Sequence, residues 1–136
     1  MVKIKMLRTK SIDKRKHPND GTRISIMSRH TLNDGKTPDP KITADSYHEH
    51  IRELAPPDKL IGDYYKRKLP WQEYKKRYLE HLSKPETNAI LKKLIERALR
   101  KNITLLCVEK THHKCHRGIL TEEMQKLEPK LKIKHK

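Results

Sequence analysis

One segment, residues 105–117, brings together the side chains of this chain that are best suited to chemistry. It begins as an apolar run, continues through a polar loop and ends at Arg117, in the first turn of a predicted helix. Ligands of open α/β sheets gather at the carboxyl ends of strands, and the N–H groups of a helix start attract anions. Because a guanidinium binds phosphate or carboxylate through two parallel hydrogen bonds, this order of elements predicts an anion site at Arg117.

The predicted site combines this segment with the loop that follows an earlier strand. Arg117 and the helix N–H groups hold the anion, while Glu109 orients His116 or Arg117. His116 can exchange a proton near neutral pH. The predicted ligand-binding residues are Arg29, His30, Glu109, Cys115, His116 and Arg117, beside Val108. The expected ligand is a small anionic molecule that carries a phosphate.

A second interpretation is a thiol-dependent enzyme. Cys115 lies next to His116 and Arg117, and positive neighbours at a helix start lower the pKa of a thiol. Cys115 would then be the catalytic nucleophile, with His113 or His116 as its base. A thiol packed near a turn explains Cys115 equally well. Cys107 lies within the apolar run and is predicted to be a small core residue without a chemical role.

Metal and nucleotide cofactors find little support in the sequence. Zinc sites show two closely spaced ligand pairs, and the second pair is absent around Cys107 and Cys115. We therefore predict no metal site. The chain has only four glycines and no glycine-rich phosphate loop, so no cofactor is assigned.

The charge balance supports a third interpretation, nucleic-acid binding without catalysis. Thirty-three Lys and Arg residues stand against 17 Asp and Glu, which gives a net charge of +16 that attracts polyanions. Lys-rich surfaces also occur in heat-adapted proteins that bind no nucleic acid. Tyr64, Tyr65 and Trp71, near the basic residues 66–68, can stack bases, although such aromatic residues more often belong to a core.

The same sequence argues against a membrane or secreted protein. No stretch approaches the roughly 20 apolar residues of a membrane helix, and the first residues lack a signal-peptide core. Two cysteines do not make a secreted disulfide scaffold. We expect a cytoplasmic protein with no membrane partner.

Periodicity predicts the elements that must position these residues. Strands are expected at residues 2–7, 23–29 and 103–108, the last one central. Helices are expected at 43–54, from 58, from 70, from a capping box at Ser83, and, after the loop at 109–114, from the Cys-His-Arg run to about 127. Residues 129–136 form a basic tail that either adds an edge strand or frays. The result is a single α/β domain over residues 1–136, with a small mixed or parallel sheet of three or four strands covered by four or five helices.

Several motifs resemble the domain-of-unknown-function family 488. They are Cys107 with Glu109, the Cys-His-Arg run at 115–117, the Leu-Ala-Pro-Pro run at 54–57, and Trp71 with Tyr74 and Tyr78 on one helix. The resemblance extends from about residue 4 to residue 128. It implies a compact α/β domain and no established reaction.

Overall fold

A parallel sheet lies at the centre of the molecule. This computed structural model describes residues 5–31, 36–107 and 116–135. Within those ranges the strands are β1 (Leu7–Ser11), β2 (Thr22–Ser25), β3 (Glu49–His50), β4 (Ile103–Cys107) and β5 (Ile133–His135). Their order is β3-β2-β4-β1-β5, and every pairing is parallel. The predicted α/β class is confirmed, with five strands where three or four were expected.

The first strand is displaced from its predicted position. It begins at Leu7 and continues into a stretch that was expected to be a loop, while residues 2–4 lie outside the described part of the chain. Polar residues can occupy this strand because each finds a tertiary partner. Thr9 shares a 2.5 Å hydrogen bond with His135, and Lys10 lies 2.9 Å from the Asp20 carboxylate. Alternating hydrophobicity does not reveal a strand of this kind.

Four α-helices lie close to the positions that the apolar periodicity predicts. They are α1 (Asp58–Lys66), α2 (Trp71–Ser83), α3 (Pro85–Arg100) and α4 (His116–Leu127). Pro57 and Pro70 cap α1 and α2, and Pro85 is the first residue of α3. Prolines suit these positions because the first N–H groups of a helix have no partner within it. The predicted capping box at Ser83 is wrong, since the Ser83 hydroxyl donates to the carbonyl of Glu80 instead.

The helix predicted at residues 43–54 is also wrong. Two single turns of 3-10 helix, Ala44–Ser46 and Arg52–Leu54, flank the short strand β3. The backbone N–H of His48 donates to the Arg23 carbonyl, and that of Ile51 donates to the Ser25 carbonyl. These bonds attach the segment to the open edge of β2. Thr43 therefore caps only the single turn Ala44–Ser46. The residues that follow add β3 to the sheet as a fifth strand.

The two faces of the sheet are covered differently. One face carries Leu7, Ile24, Ile26, Ile103 and Leu105, which pack against buried residues of all four helices. We call this the helical face. The opposite face holds a small apolar cluster, namely Ile12, Met27 and Leu106 with Ile42 and Tyr47 against it, and is covered by loops. In the described part of the chain, no helix has the length and apolarity needed to cross a membrane.

Candidate functional site

The start of α4 lies at the carboxyl end of β4, on the helical face. His116 is the first residue of α4, and its Nε2 atom is 2.8 Å from the carbonyl oxygen of Ile26. Its Nδ1 is 3.8 Å from Sγ of Cys107, the last residue of β4. His116 thus joins the carboxyl ends of the two neighbouring strands β2 and β4.

The surroundings of His116 fix the positions of its protons. A carbonyl oxygen can only accept a hydrogen bond, so Nε2 carries the proton that points at Ile26. In the neutral ring, Nδ1 is then the proton acceptor, and it faces the thiol of Cys107. The ring of Tyr78 meets His116 edge-on at 5.9 Å, and the Tyr78 hydroxyl donates to the Leu54 carbonyl. Both rings are therefore held in place by the main chain.

Arg117, the next residue of α4, has no exposed surface at all. None of its three guanidinium nitrogens has a hydrogen-bond partner among residues 5–31, 36–107 and 116–135. The Arg117 carbonyl, by contrast, accepts a hydrogen bond from the side-chain hydroxyl of Thr121, one turn further along α4, at 2.9 Å. The structure thus combines complete burial of a cation with unused hydrogen-bond donors.

A polar groove of about 330 Å³ lies beside α4. It is lined by Gly118, Thr121, Glu122, Gln125, Ile133 and His135. Gly118 directly follows Arg117 in the helix, and His135 belongs to the edge strand β5. The groove brings side chains of both elements together, and Arg117 is not among the residues that line it.

His30 lies in a different environment from His116. Its Nε2 is 2.7 Å from the hydroxyl of Ser25, and its ring packs against Tyr47 at 4.7 Å and against His50 at 4.3 Å. Since Ser25 lies between Ile24 and Ile26, which both pack on the helical face, the Ser25 side chain points to the opposite face. Burial, with a smaller contribution from the charge of His50, lowers the pKa of His30 below its ordinary value.

Arg29 is half exposed and forms an ion pair with Asp58, with 2.7 Å between Nη2 and the carboxylate. Asp58 is the first residue of α1 and is itself 48% exposed. His116 and Arg117 are the first two residues of α4. Arg29 is paired with Asp58 of α1, and the ring of His30 packs against Tyr47 and His50. Glu109, Cys115, Val108 and His113 lie outside the described residues. Within the described ranges, no three His, Cys, Asp or Glu side chains form a metal-binding group.

A second group of buried charges lies on the face opposite the helices. The carboxylate of Asp20 receives hydrogen bonds from Lys10 at 2.9 Å and from Nη1 of Arg23 at 2.6 Å. Arg23 also donates through Nε to the carbonyl of Ser46, and the Thr104 hydroxyl donates to the Asp20 carbonyl. Asp20 and Arg23 have at most 2% of their surface exposed. This group binds two loops to the sheet and has a structural role.

Residues 7–128 match the family model DUF488-N3a, described as the active DUF488-N3 subclade. The chain belongs to the DUF488 family. The matched range contains strands β1–β4 and all of α4, whereas β5 lies beyond it. No curated protein and no solved structure matches the chain.

Sequence reasoning missed the contact between Cys107 and His116 in this DUF488 protein. Cys107 was predicted to be an inert core residue, and its complete burial agrees with a core position. The sequence did contain a signal, because Cys107 is the last apolar residue of a central strand before a polar loop. Side chains at that position of a parallel sheet face the ligand-binding edge. The sequence contains no comparable pattern that would indicate the contacts among Lys10, Asp20 and Arg23.

Proposed function

We propose that this DUF488 protein binds a phosphate-bearing anion at the start of α4, with Arg117 as the principal ligand. One observation carries the proposal: the Arg117 guanidinium is fully buried and has no partner among the described residues. The description of the matched family as active supports a site that acts on its ligand.

A buried arginine cannot relieve its charge by losing a proton, because the guanidinium stays protonated in proteins. An unpaired buried charge costs far more free energy than one that is paired and hydrogen-bonded. An anion bound beside the Arg117 guanidinium would neutralise its charge and accept hydrogen bonds from its nitrogens. Burial of Arg117 is therefore explained most directly by a bound anion.

The position of Arg117 favours phosphate among the possible anions. Cα–Cβ bonds of a helix lean toward its N-terminus, so the side chain extends toward the N–H groups of the first turn. Those groups and the positive end of the helix dipole bind phosphate readily. Phosphate has enough oxygen atoms to accept from the planar guanidinium and from the backbone at once. The groove beside Gly118 and Thr121 provides room for the organic part of such a ligand.

Calorimetric titration with inorganic phosphate tests the proposal. The wild-type protein should bind phosphate at one site, and Arg117→Met should abolish that binding. Arg117→Lys should retain only part of it, since the two-pronged hydrogen bonding is lost. The matched control is Arg100→Met, because Arg100 is exposed at the end of α3. Equal binding by wild type and both Met variants, or no binding by the wild type, would contradict the proposal.

Stability measurements provide an independent reading of the same site. Phosphate at one hundred times its dissociation constant should raise the free energy of unfolding by about 2.7 kcal/mol. The increase should appear in wild type and in Arg100→Met, and should be absent in Arg117→Met. An increase that persists in Arg117→Met would place the anion elsewhere.

A second candidate function is binding of single-stranded nucleic acid at the end of α1. Tyr65 is 59% exposed, unlike Tyr64 and Trp71, which pack around the half-buried start of α2. Lys66 and Lys68 beside it are exposed as well. An accessible aromatic ring between cations can stack a base while the lysines contact the phosphates.

Fluorescence anisotropy with a labelled single-stranded oligonucleotide tests this second function. Binding should be strong near 50 mM salt and weaken steeply as salt rises. Tyr65→Ala should weaken it several-fold at every salt concentration. Leu127→Ala is the matched control, because Leu127 is a similarly exposed apolar side chain, next to Lys126 on α4. The same loss in both variants would show binding without stacking and exclude Tyr65 as its platform.

A further inference from the structure

Cys107 lies at the same point of the fold as the two residues that begin α4. Its Sγ faces Nδ1 of His116 at 3.8 Å, and Arg117 is the next residue along the helix. Cys107 has no exposed surface. A thiol and an imidazole therefore meet at the carboxyl end of the central strand, and the buried Arg117 follows the imidazole directly in α4.

The hydrogen bond from His116 to Ile26 determines what His116 can do for the thiol. Nε2 donates to the Ile26 carbonyl at 2.8 Å, so the lone pair of the neutral ring is on Nδ1. The Cys107 proton can pass to Nδ1 without any movement of the ring. The product is a thiolate next to an imidazolium whose two N–H groups both have acceptors.

The remaining charges near Cys107 also favour its thiolate. Arg117 is permanently positive, and the start of a helix stabilises negative charge. The ring of Tyr78 packs edge-on against His116, and the Tyr78 hydroxyl donates a hydrogen bond to the Leu54 carbonyl.

We propose that Cys107 is the nucleophile of the Arg117 site, that His116 takes its proton, and that the ligand is a phosphate monoester. This proposal rests on the proposed function, because Arg117 must hold the phosphate. A thiolate with no exposed surface meets only a ligand that enters this buried site, which protects it from other reagents. In the sequence, the nucleophile precedes residues 108–115 and the base follows them.

The reaction proceeds in two balanced steps. The Cys107 thiolate attacks phosphorus, so that an S–P bond forms while the P–O bond to the alcohol breaks, and the proton on Nδ1 of His116 goes to the departing oxygen. Water then attacks the thiophosphate, with His116 taking one of its protons. The S–P bond breaks to return the thiolate and release inorganic phosphate.

Thiol titration of single-cysteine variants tests the proposal without knowledge of the natural substrate. In Cys115→Ser, the absorbance of the remaining thiolate near 240 nm should show a pKa at least about one unit below the ordinary value of about 8.5. Adding His116→Asn to this variant should raise that pKa, and adding Arg117→Met should do the same. Cys107→Ser, which retains only Cys115, is the matched comparison.

The outcomes separate this inference from the proposed function. An acidic thiol in Cys115→Ser that depends on His116, together with phosphate binding by the wild type, supports the role of Cys107. An ordinary or raised pKa there, or an acidic thiol found only in Cys107→Ser, overturns that role and leaves the anion site intact. Failure of the wild-type protein to bind inorganic phosphate overturns the anion site and, with it, the nucleophile. Circular dichroism of each variant confirms that it is folded.

Discussion

Arg23 and Arg117 are both buried, on opposite faces of the same sheet, and their surroundings differ completely. Arg23 donates to the Asp20 carboxylate at 2.6 Å and to the Ser46 carbonyl at 2.9 Å. Arg117 has none of its guanidinium nitrogens bonded within the described part of the chain. One arginine completes a group of internal charges, and the other presents its donors to a ligand in the function proposed above.

The difference shows how a fold can use the same residue type for stability or for binding. A buried charge whose partners come from the protein itself fixes the elements that supply them, here two loops against β1 and β2. A buried charge without such partners lowers the stability of the protein until an anion binds. Substitution of the two arginines should therefore have effects of opposite sign.

The largest effect is expected for Arg23→Met. The substitution removes one of the two cations bound to Asp20, and breaking a buried ion pair in this way costs about 3–5 kcal/mol. Urea unfolding should show this loss in the free energy of unfolding. Arg100→Met, at an exposed position, should stay within about 0.5 kcal/mol of wild type. A loss for Arg23→Met no larger than that of its control would mean that the Asp20 group adds nothing to stability.

A smaller effect of opposite sign is expected for Arg117→Met. Without added phosphate, the free energy of unfolding should rise by about 1–3 kcal/mol, since an unsatisfied buried group is replaced by an apolar one. The same urea titration measures it. A destabilisation equal to that of Arg23→Met would show that Arg117 is satisfied within the protein, with Glu109 as the first residue to test by Glu109→Gln.

The comparison extends to acid stability. Burial acts to raise the pKa of Asp20, but hydrogen bonds from Lys10, from the backbone N–H of His17 and from Arg23 outweigh it, so the pKa is lowered. The stabilisation is present above the unfolded pKa of about 3.9 and is lost as the pH falls through the lower folded value.

The free energy of unfolding should thus decrease below about pH 4 in the wild type, and less steeply in Asp20→Asn. Part of the slope should remain, because hydrogen bonds from Arg97 and Arg67 also lower the pKa values of Glu49 and Asp63, respectively. Parallel pH curves for the two proteins would show that Asp20 is not the group that titrates.

The smallest effect is expected for Arg29→Ala. Both members of the Arg29–Asp58 pair are about half exposed, and such pairs contribute less than about 1 kcal/mol. Phosphate affinity should not change, because the Arg29 guanidinium is paired with Asp58 at the start of α1. A tenfold loss of phosphate affinity would instead restore Arg29 to the binding site, as the sequence analysis predicted.

Much of the helical part of the fold could be predicted from the sequence. The apolar stripe with Leu91, Leu94 and Ala98 indicates α3, and these side chains are buried as expected. Prolines mark the starts of α1, α2 and α3 because their missing N–H is harmless there. The failures, β1 and β3, are strands in which polar residues satisfy their hydrogen bonds through partners distant in sequence.

The candidate site was predictable in part. The order of strand, loop and helix around residues 103–117 places Arg117 at a helix start beside the carboxyl end of β4, since chain connectivity alone requires it. The hydrogen bond of His116 to Ile26 joins residues 90 positions apart and could not be foreseen. The environment of His30 likewise depends on Tyr47 and His50, which lie in a segment expected to be helical.

The sequence by itself determined the basic character of the protein, its α/β class, the helices α1 to α4 and the identity of the arginine at the start of α4. These properties depend on composition, on periods of two and 3.6 residues, and on proline geometry, all of which are local. Only the tertiary structure decided that Arg23 finds a carboxylate while Arg117 finds none among the described residues, and that Cys107 faces His116. Hydrogen-bond partners and burial are set by distances between elements far apart in the chain, and no local pattern specifies those distances.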